Sequence, residues 1–187
     1  MMNTAQTTRT YRLRPISATL AAIALLLLAL VVPAGAEPGN DNRAPDVGDC
    51  EELQVDAGHK VAFHAYAEGV QIYRWNGAEW VFVAPEAVLF GEGLGVVGIH
   101  YGGPTWESNS GSTVVGSVLE RCPMPGTIAW LKLAAAPNGA PGIFQGVTFI
   151  QRVNTTGGTA PAAPGEFVGE EARVPYTADY YFYRKQG

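Results

Sequence analysis

The chain has 187 residues, of which 47% are hydrophobic, and this suits a single globular domain of ordinary size. It carries only 12 Lys and Arg against 17 Asp and Glu, a formal net charge of −5, with no basic stripe. Nucleic acid is therefore not an expected partner, because phosphate binding requires clustered basic side chains.

The first 36 residues have the features of a secretory signal peptide. Three arginines precede an uncharged apolar run at residues 20–32, and Ala34-Gly35-Ala36 fits a cleavage site. The run is shorter than the roughly 20 residues that span a membrane, so we predict cleavage rather than a retained membrane anchor. Cleavage would leave 9 basic and 17 acidic residues, hence a charge of −8, in a secreted or periplasmic protein.

The remainder is predicted to be a lead-in followed by one domain. Residues 37–49 are rich in Pro, Gly, Asn and Asp and are expected to be flexible, whereas residues 50–187 form the domain. Cys50 and Cys122 are the only cysteines, and in an exported chain two cysteines favour a disulfide. Two free thiols or a metal site are the alternatives, but without a neighbouring histidine the pair is a weak zinc site.

The domain is predicted to be all-β. Alternating apolar and polar residues fit about eight strands, and no window after residue 36 has helical spacing. Frequent Gly and Pro separate these segments, which predicts a single antiparallel β-barrel or β-sandwich. Pro85 opens a segment, residues 84–90, that fits either a helical turn or an edge segment, and residues 134–142 are predicted to be a loop.

The clearest local signal is a hairpin. Asn76-Gly77 separates two strand-like segments and predicts a two-residue turn, which would place Arg74 opposite Glu79. One face of this hairpin is aliphatic and is predicted to be core. The other face is either a second buried surface or the lining of a cleft for a ring-shaped or apolar ligand. That face carries Gln71, Tyr73, Trp75, Trp80 and Phe82.

Residues 99–107 are the most informative stretch for function. Gly102-Gly103-Pro104 cannot continue a regular strand, so the neighbouring polar and aromatic side chains are expected at a bend between strands. Those side chains are His100, Tyr101, Trp106 and Glu107. Such a bend on apolar β-structure is a place where ligand contact or chemistry is expected.

Three of these side chains are candidates for catalysis. His100 with Glu107 or Glu86 could supply a general base and a general acid, or the three could hold a metal ion. The alternative is that His100 only caps the bend and Glu107 bonds backbone amides. No Gly-x-Ser-x-Gly motif supports a serine hydrolase, and we predict neither a cofactor nor a metal site. Arg152 could pair with either carboxylate.

Several strings of residues resemble one family, and the resemblance covers most of the chain that follows the predicted signal peptide. They are Ala84-Pro85-Glu86-Ala87, His100-Tyr101, Gly103-Pro104-Thr105-Trp106-Glu107, Trp130-Leu131, Ile150-Gln151-Arg152-Val153-Asn154-Thr155 and Val174-Pro175-Tyr176-Thr177-Ala178. In order and spacing this resembles the DUF3455 family of secreted bacterial and fungal proteins. The resemblance brings no established activity with it. Similar proteins often carry a cysteine at the position of Trp75 and another near Pro164-Gly165, and this chain has neither.

We therefore expect an exported β-domain that binds a small molecule or carbohydrate, or has a structural role, through an aromatic-lined pocket. The residues predicted to contact a ligand are Tyr73, Trp80, Tyr101, Trp106, Gln151 and Arg152. The alternative is a cell-envelope or extracellular hydrolase or lyase that uses His100 and Glu107. A plainer hypothesis is that these residues only stabilise the fold.

Overall fold

Eight antiparallel strands form the fold. The structure, a computed structural model, describes residues 43–187, so the predicted signal peptide and the first part of the lead-in lie outside the described residues. The strands are β1 (His59–Trp75), β2 (Trp80–Phe90), β3 (Val96–Tyr101), β4 (Thr105–Ser108), β5 (Ser112–Cys122), β6 (Trp130–Gly139), β7 (Val147–Gly157) and β8 (Glu171–Lys185). Each strand pairs with the next, and β8 pairs with β1. The predicted all-β class is confirmed, and the sheet closes into a barrel.

Closure depends on the pairing of β1 with β8, which runs from His59↔Lys185 to Arg74↔Glu171. This pairing removes the two free sheet edges that an open sheet would present. β1 is a single 17-residue strand, and it includes the first segment of the predicted hairpin. Gly69 lies within it because a Cβ there would be 2.0 Å from the Glu86 carbonyl oxygen of β2.

Side chains that point into the barrel alternate along each strand, as the period of two requires. On β8 these are Tyr176, Ala178, Tyr180 and Phe182, all at most 2% exposed. Phe63 and Phe144 pack against Phe182, with ring centroids 4.5 and 5.0 Å from it. These phenyl rings fill the barrel where β1 begins and β8 ends, which leaves unfilled space towards the opposite end.

The predicted hairpin forms, but with a longer loop. Residues 76–79 connect β1 to β2, and Trp75 lies opposite Trp80 rather than Ala78. The Asn76 side-chain oxygen accepts hydrogen bonds from the amides of Ala78 and Glu79, so this side chain organises a four-residue turn. The predicted pairing of Arg74 with Glu79 is therefore wrong.

Arg74 instead donates to Glu171 of β8, at 2.6 Å. The aliphatic face of the hairpin is also less buried than predicted, because Val81 is 45% exposed whereas Ile72 is 6% exposed. Two further segments differ from expectation. Residues 84–90 continue β2 despite Pro85, and β6 extends to Gly139, because each segment finds a partner strand.

A segment outside the barrel covers β5, β6 and β7. We call residues 47–54 the N-terminal strap; it includes a 3-10 turn at Glu51–Leu53. Val47 and Leu53 are buried against Val153, so part of the expected flexible lead-in is packed. The Cys50–Cys122 disulfide links the strap to β5, which confirms the predicted bridge. No helix within residues 43–187 is long and apolar enough to cross a membrane.

Candidate functional site: a cavity at one end of the barrel

The unfilled end of the barrel contains a cavity of about 610 Å³. Its outer lining is exposed and includes Phe82, Arg121 and Ala160, whereas its inner lining is buried and includes Leu131 and Leu133. The cavity is thus open to solvent at one end. Its volume lies within the range of about 300–1,000 Å³ that is usual for small-molecule sites.

The hairpin of β3 and β4 places His100 and Trp106 at the inner end. The two residues face each other across the ladder, and Gly103 makes the intervening turn with a φ of 96°. Both side chains point inward, at 3% and 1% exposed. Their rings stack with centroids 4.2 Å apart and planes 9° apart. The bend predicted from Gly102-Gly103-Pro104 therefore places an imidazole and an indole inside the barrel.

His100 is a neutral side chain in this position. Its Nδ1 lies 2.8 Å from the carbonyl oxygen of Thr105, which can only accept, so Nδ1 carries the proton and Nε2 keeps its lone pair. Burial lowers the pKa of His100 to about 3; the Thr105 hydrogen bond opposes this change and the charge of Arg152 adds to it. The imidazole can accept a hydrogen bond, but with this pKa it is a weak base at neutral pH.

The two candidate carboxylates do not face His100. Glu107 is next to Trp106 on β4 and so points to the other face of the sheet, where it accepts a hydrogen bond of 2.9 Å from the Tyr101 hydroxyl. That hydrogen bond raises the pKa of Tyr101. Glu86 lies on the outer surface and pairs with Arg173. The structure does not bring together the predicted set of His100, Glu107 and Glu86.

Arg152 lies on the inner face of β7 and lines the cavity. Its Nε and Nη2 donate to the carbonyl oxygen of Ala129, at 3.1 and 2.7 Å. Its charge acts to lower the pKa of three side chains that line the cavity, Tyr73, His100 and Tyr180. It acts in the same direction on Tyr176, which is buried but does not line the cavity. The predicted pairing of Arg152 with Glu86 or Glu107 does not occur.

Polar groups from β1 and β8 complete the inner end. The Tyr73 hydroxyl donates to the Gly158 carbonyl oxygen at 2.7 Å. Gln71 is 3% exposed, and its side-chain amide lies beside the Tyr176 hydroxyl without a hydrogen bond of normal geometry from Nε2. The Tyr180 hydroxyl lies beside Tyr176 and Arg152, but with neither does it form a hydrogen bond of normal geometry. Burial raises the pKa of Tyr176 and of Tyr180.

Sequence reasoning did not identify Tyr180 as a site residue. It placed Gln71 on a face that could line a cleft but did not include it among the predicted ligand contacts. The signal was present in part: Gln71 alternates with Tyr73, and Tyr180 alternates with Tyr176 and Phe182. What was lacking is the pairing of β1 with β8, which places both inner faces in one cavity.

Three residues predicted to contact a ligand lie elsewhere. Tyr101 is on the outer face with Glu107, and Gln151 donates from Nε2 to the Leu53 carbonyl oxygen beneath the N-terminal strap, at 2.6 Å. Trp80 donates from Nε1 to the Ala163 carbonyl oxygen at 2.8 Å and so holds the loop of residues 158–170. Tyr73, Trp106 and Arg152 are the members of the predicted set that line the cavity.

Within the same loop, Gly165 packs against Trp75 at the end of β1. A Cβ added to Gly165 would lie 2.5 Å from Cγ of Trp75, so the indole rests on the glycine backbone. Here a packed contact between an aromatic ring and a glycine joins the loop to the end of β1.

A metal centre has little support within residues 43–187. There the cluster of potential ligands is Cys50, Glu52 and Cys122, and its two sulfur atoms are joined in the disulfide. A disulfide sulfur is not a thiolate ligand.

The family model described as "Protein of unknown function (DUF3455)" matches residues 91–184, half of the chain. The protein belongs to this family. The DUF3455 match includes β3 to β7 and most of β8, and therefore His100, Trp106, Arg152 and Tyr180 of the cavity. No curated protein and no solved structure shows significant similarity to this DUF3455 chain.

Proposed function

We propose that the protein binds a small organic molecule inside the open end of its barrel. The observation that carries this proposal is the cavity itself, which has a mainly apolar wall and a few polar groups that converge at its buried end. Eight-stranded barrels have an interior wide enough to hold one small ligand when side chains do not fill it. Here the phenyl rings occupy only one end.

The wall supports binding more than catalysis. Leu131, Leu133 and Pro85 offer apolar contact, while the stacked pair of His100 and Trp106 offers a flat aromatic wall. No carboxylate of the described residues lines the cavity, so His100 lacks the acidic partner that a hydrolase or lyase would use. Small-molecule binding is therefore the function that this arrangement supports best.

A neutral fluorescent probe tests this proposal. N-phenyl-1-naphthylamine should show a saturable rise in fluorescence with one site per chain, because its rings would leave water for the cavity. Ala160→Trp, at the exposed mouth, should weaken binding at least tenfold by narrowing the entrance. Ala162→Trp is the matched control, since it lies on the same loop but does not line the cavity. Absence of saturable binding, or equal loss in both variants, would contradict the proposal.

A further inference from the structure

The inner end of the cavity is rich in donors that lack acceptors. Trp106 is 1% exposed, and its Nε1 has no hydrogen-bond partner. The indole N–H can only donate, so whatever satisfies it must be an acceptor. The side-chain amide of Gln71 lies beside the Tyr176 hydroxyl, but its Nε2 forms no hydrogen bond of normal geometry. A buried donor is stabilised by an acceptor, so these two side chains favour a ligand group that can accept hydrogen bonds.

Arg152 adds a positive charge to these donors. Arg74 and Arg173 pair with carboxylates on the outer surface, whereas no carboxylate of the described residues lies within 4.0 Å of Arg152. Two of its five N–H groups donate to the Ala129 carbonyl oxygen. The guanidinium lies beside the Tyr180 hydroxyl, and Tyr180 packs edge-on against Trp106 with centroids 5.2 Å apart.

The charge balance of the cavity is opposite to that of the protein. The chain has a net charge of −5, yet the cavity is lined by Arg121 and Arg152 and by no Asp or Glu of the described residues. A partly buried cation is stable when an anion neutralises it, and guanidinium binds a planar carboxylate through two parallel hydrogen bonds. An ammonium group would find no counter-charge in the same place.

We propose that the ligand carries a carboxylate, or an anion of similar size, and that this group binds at the inner end of the cavity between Arg152, Trp106 and Gln71. The body of the ligand then lies against Leu131, Leu133 and Pro85. This proposal rests on the proposed function, and it adds the chemical class of the ligand.

Three naphthalene compounds of one shape test it. 2-Naphthoate, 2-naphthamide and 2-naphthalenemethylamine share a ring system and differ in charge, so titration calorimetry compares anion, neutral acceptor and cation. We expect the carboxylate to bind at least tenfold more tightly than the amide, with the amine weakest. Equal dissociation constants for the three would overturn the proposal, while saturable binding of N-phenyl-1-naphthylamine would still support the cavity. Failure of that probe and of all three compounds would instead contradict the proposed function.

Two variants test whether Arg152 and Gln71 cause the preference for a carboxylate. Arg152→Gln should reduce naphthoate affinity at least tenfold and leave that of naphthamide within threefold. Arg173→Gln is the matched control, because Arg173 lies on the outer surface, pairs with Glu86 and does not line the cavity. Arg152 also donates to the Ala129 carbonyl oxygen, so Arg152→Gln could destabilise the fold. A second variant therefore tests the proposal without removing that contact. Gln71→Met has a similar shape and removes one unpaired donor, so it should weaken naphthoate severalfold without lowering the melting temperature. Unchanged naphthoate affinity in both variants would overturn the proposal.

Discussion

The imidazole of His100 lies flat on the indole of Trp106, with ring centroids 4.2 Å apart and planes 9° apart. Tyr180 meets both rings at an angle, with centroids 5.2 Å from each. This three-ring cluster forms one side of the cavity's inner end, and it depends on a histidine that is uncharged.

The first prediction concerns pH. The pKa of His100 is about 3 in the folded chain and near 6.5 when unfolded, so between these values only the unfolded state takes up the proton. This contribution to stability is complete above about pH 6.5 and falls by roughly 1.4 kcal/mol per pH unit towards pH 3. Urea unfolding of His100→Asn at pH 7, 5 and 4 should show a shallower decline. His59→Asn is the control, and equal slopes in parent and His100→Asn would be incompatible with this account.

The second prediction concerns Gly116 on β5. A Cβ there would lie 2.9 Å from Leu133 and from the Trp106 ring, so Gly116→Ala must displace the indole, the Leu133 side chain or both. Overpacking of this kind costs about 1–3 kcal/mol, and the moved side chain should also reduce probe affinity. Chemical unfolding and titration with N-phenyl-1-naphthylamine measure the two effects. Gly93→Ala, where no atom lies within 4 Å of the added Cβ, should change neither. A neutral Gly116→Ala variant would mean that the ring is not confined there.

The third prediction concerns the two carboxylates first considered for catalysis. Glu107 and Glu86 lie outside the cavity, bonded to Tyr101 and Arg173 respectively. Glu107→Gln and Glu86→Gln should therefore leave the dissociation constant of N-phenyl-1-naphthylamine within twofold of the parent. Loss of binding by tenfold or more in a folded Glu107→Gln variant would show that this side chain reaches the ligand after all.

The fourth prediction concerns the disulfide. Cys50 and Cys122 close a loop with a sequence separation of 72, which restricts the unfolded chain by roughly 4 kcal/mol in the chain-entropy model. Replacing both cysteines with serine should lower the free energy of unfolding by about that amount, measured in urea. The parent protein under reducing conditions is the matching comparison. A double variant as stable as the oxidised parent would contradict this role.

The sequence predicted the strands better than their pairing. Alternation identified β3 and the bend after it, because local periodicity needs only a few residues. The register of β3 with β4 places His100 and Trp106 on one face of the sheet and Glu107 on the other. The spacing of these residues in the sequence did not predict that register. Gln71 and Tyr180 are more than 100 positions apart, and only the closure of the barrel brings their strands together. The turn at Asn76 was also predicted incompletely. Its side chain stabilises a four-residue loop, whereas the Asn-Gly pair predicts a two-residue loop.

Strand β7 forms contacts on both faces of the barrel wall. Gln151 holds the strap outside while its neighbour, Arg152, faces the interior. A slip of this strand by one residue would exchange the two, because successive side chains point to opposite sides. The guanidinium would then lie beneath Leu53 and the amide would face the ligand, so the same pairing that fastens the outside also fixes the charge inside.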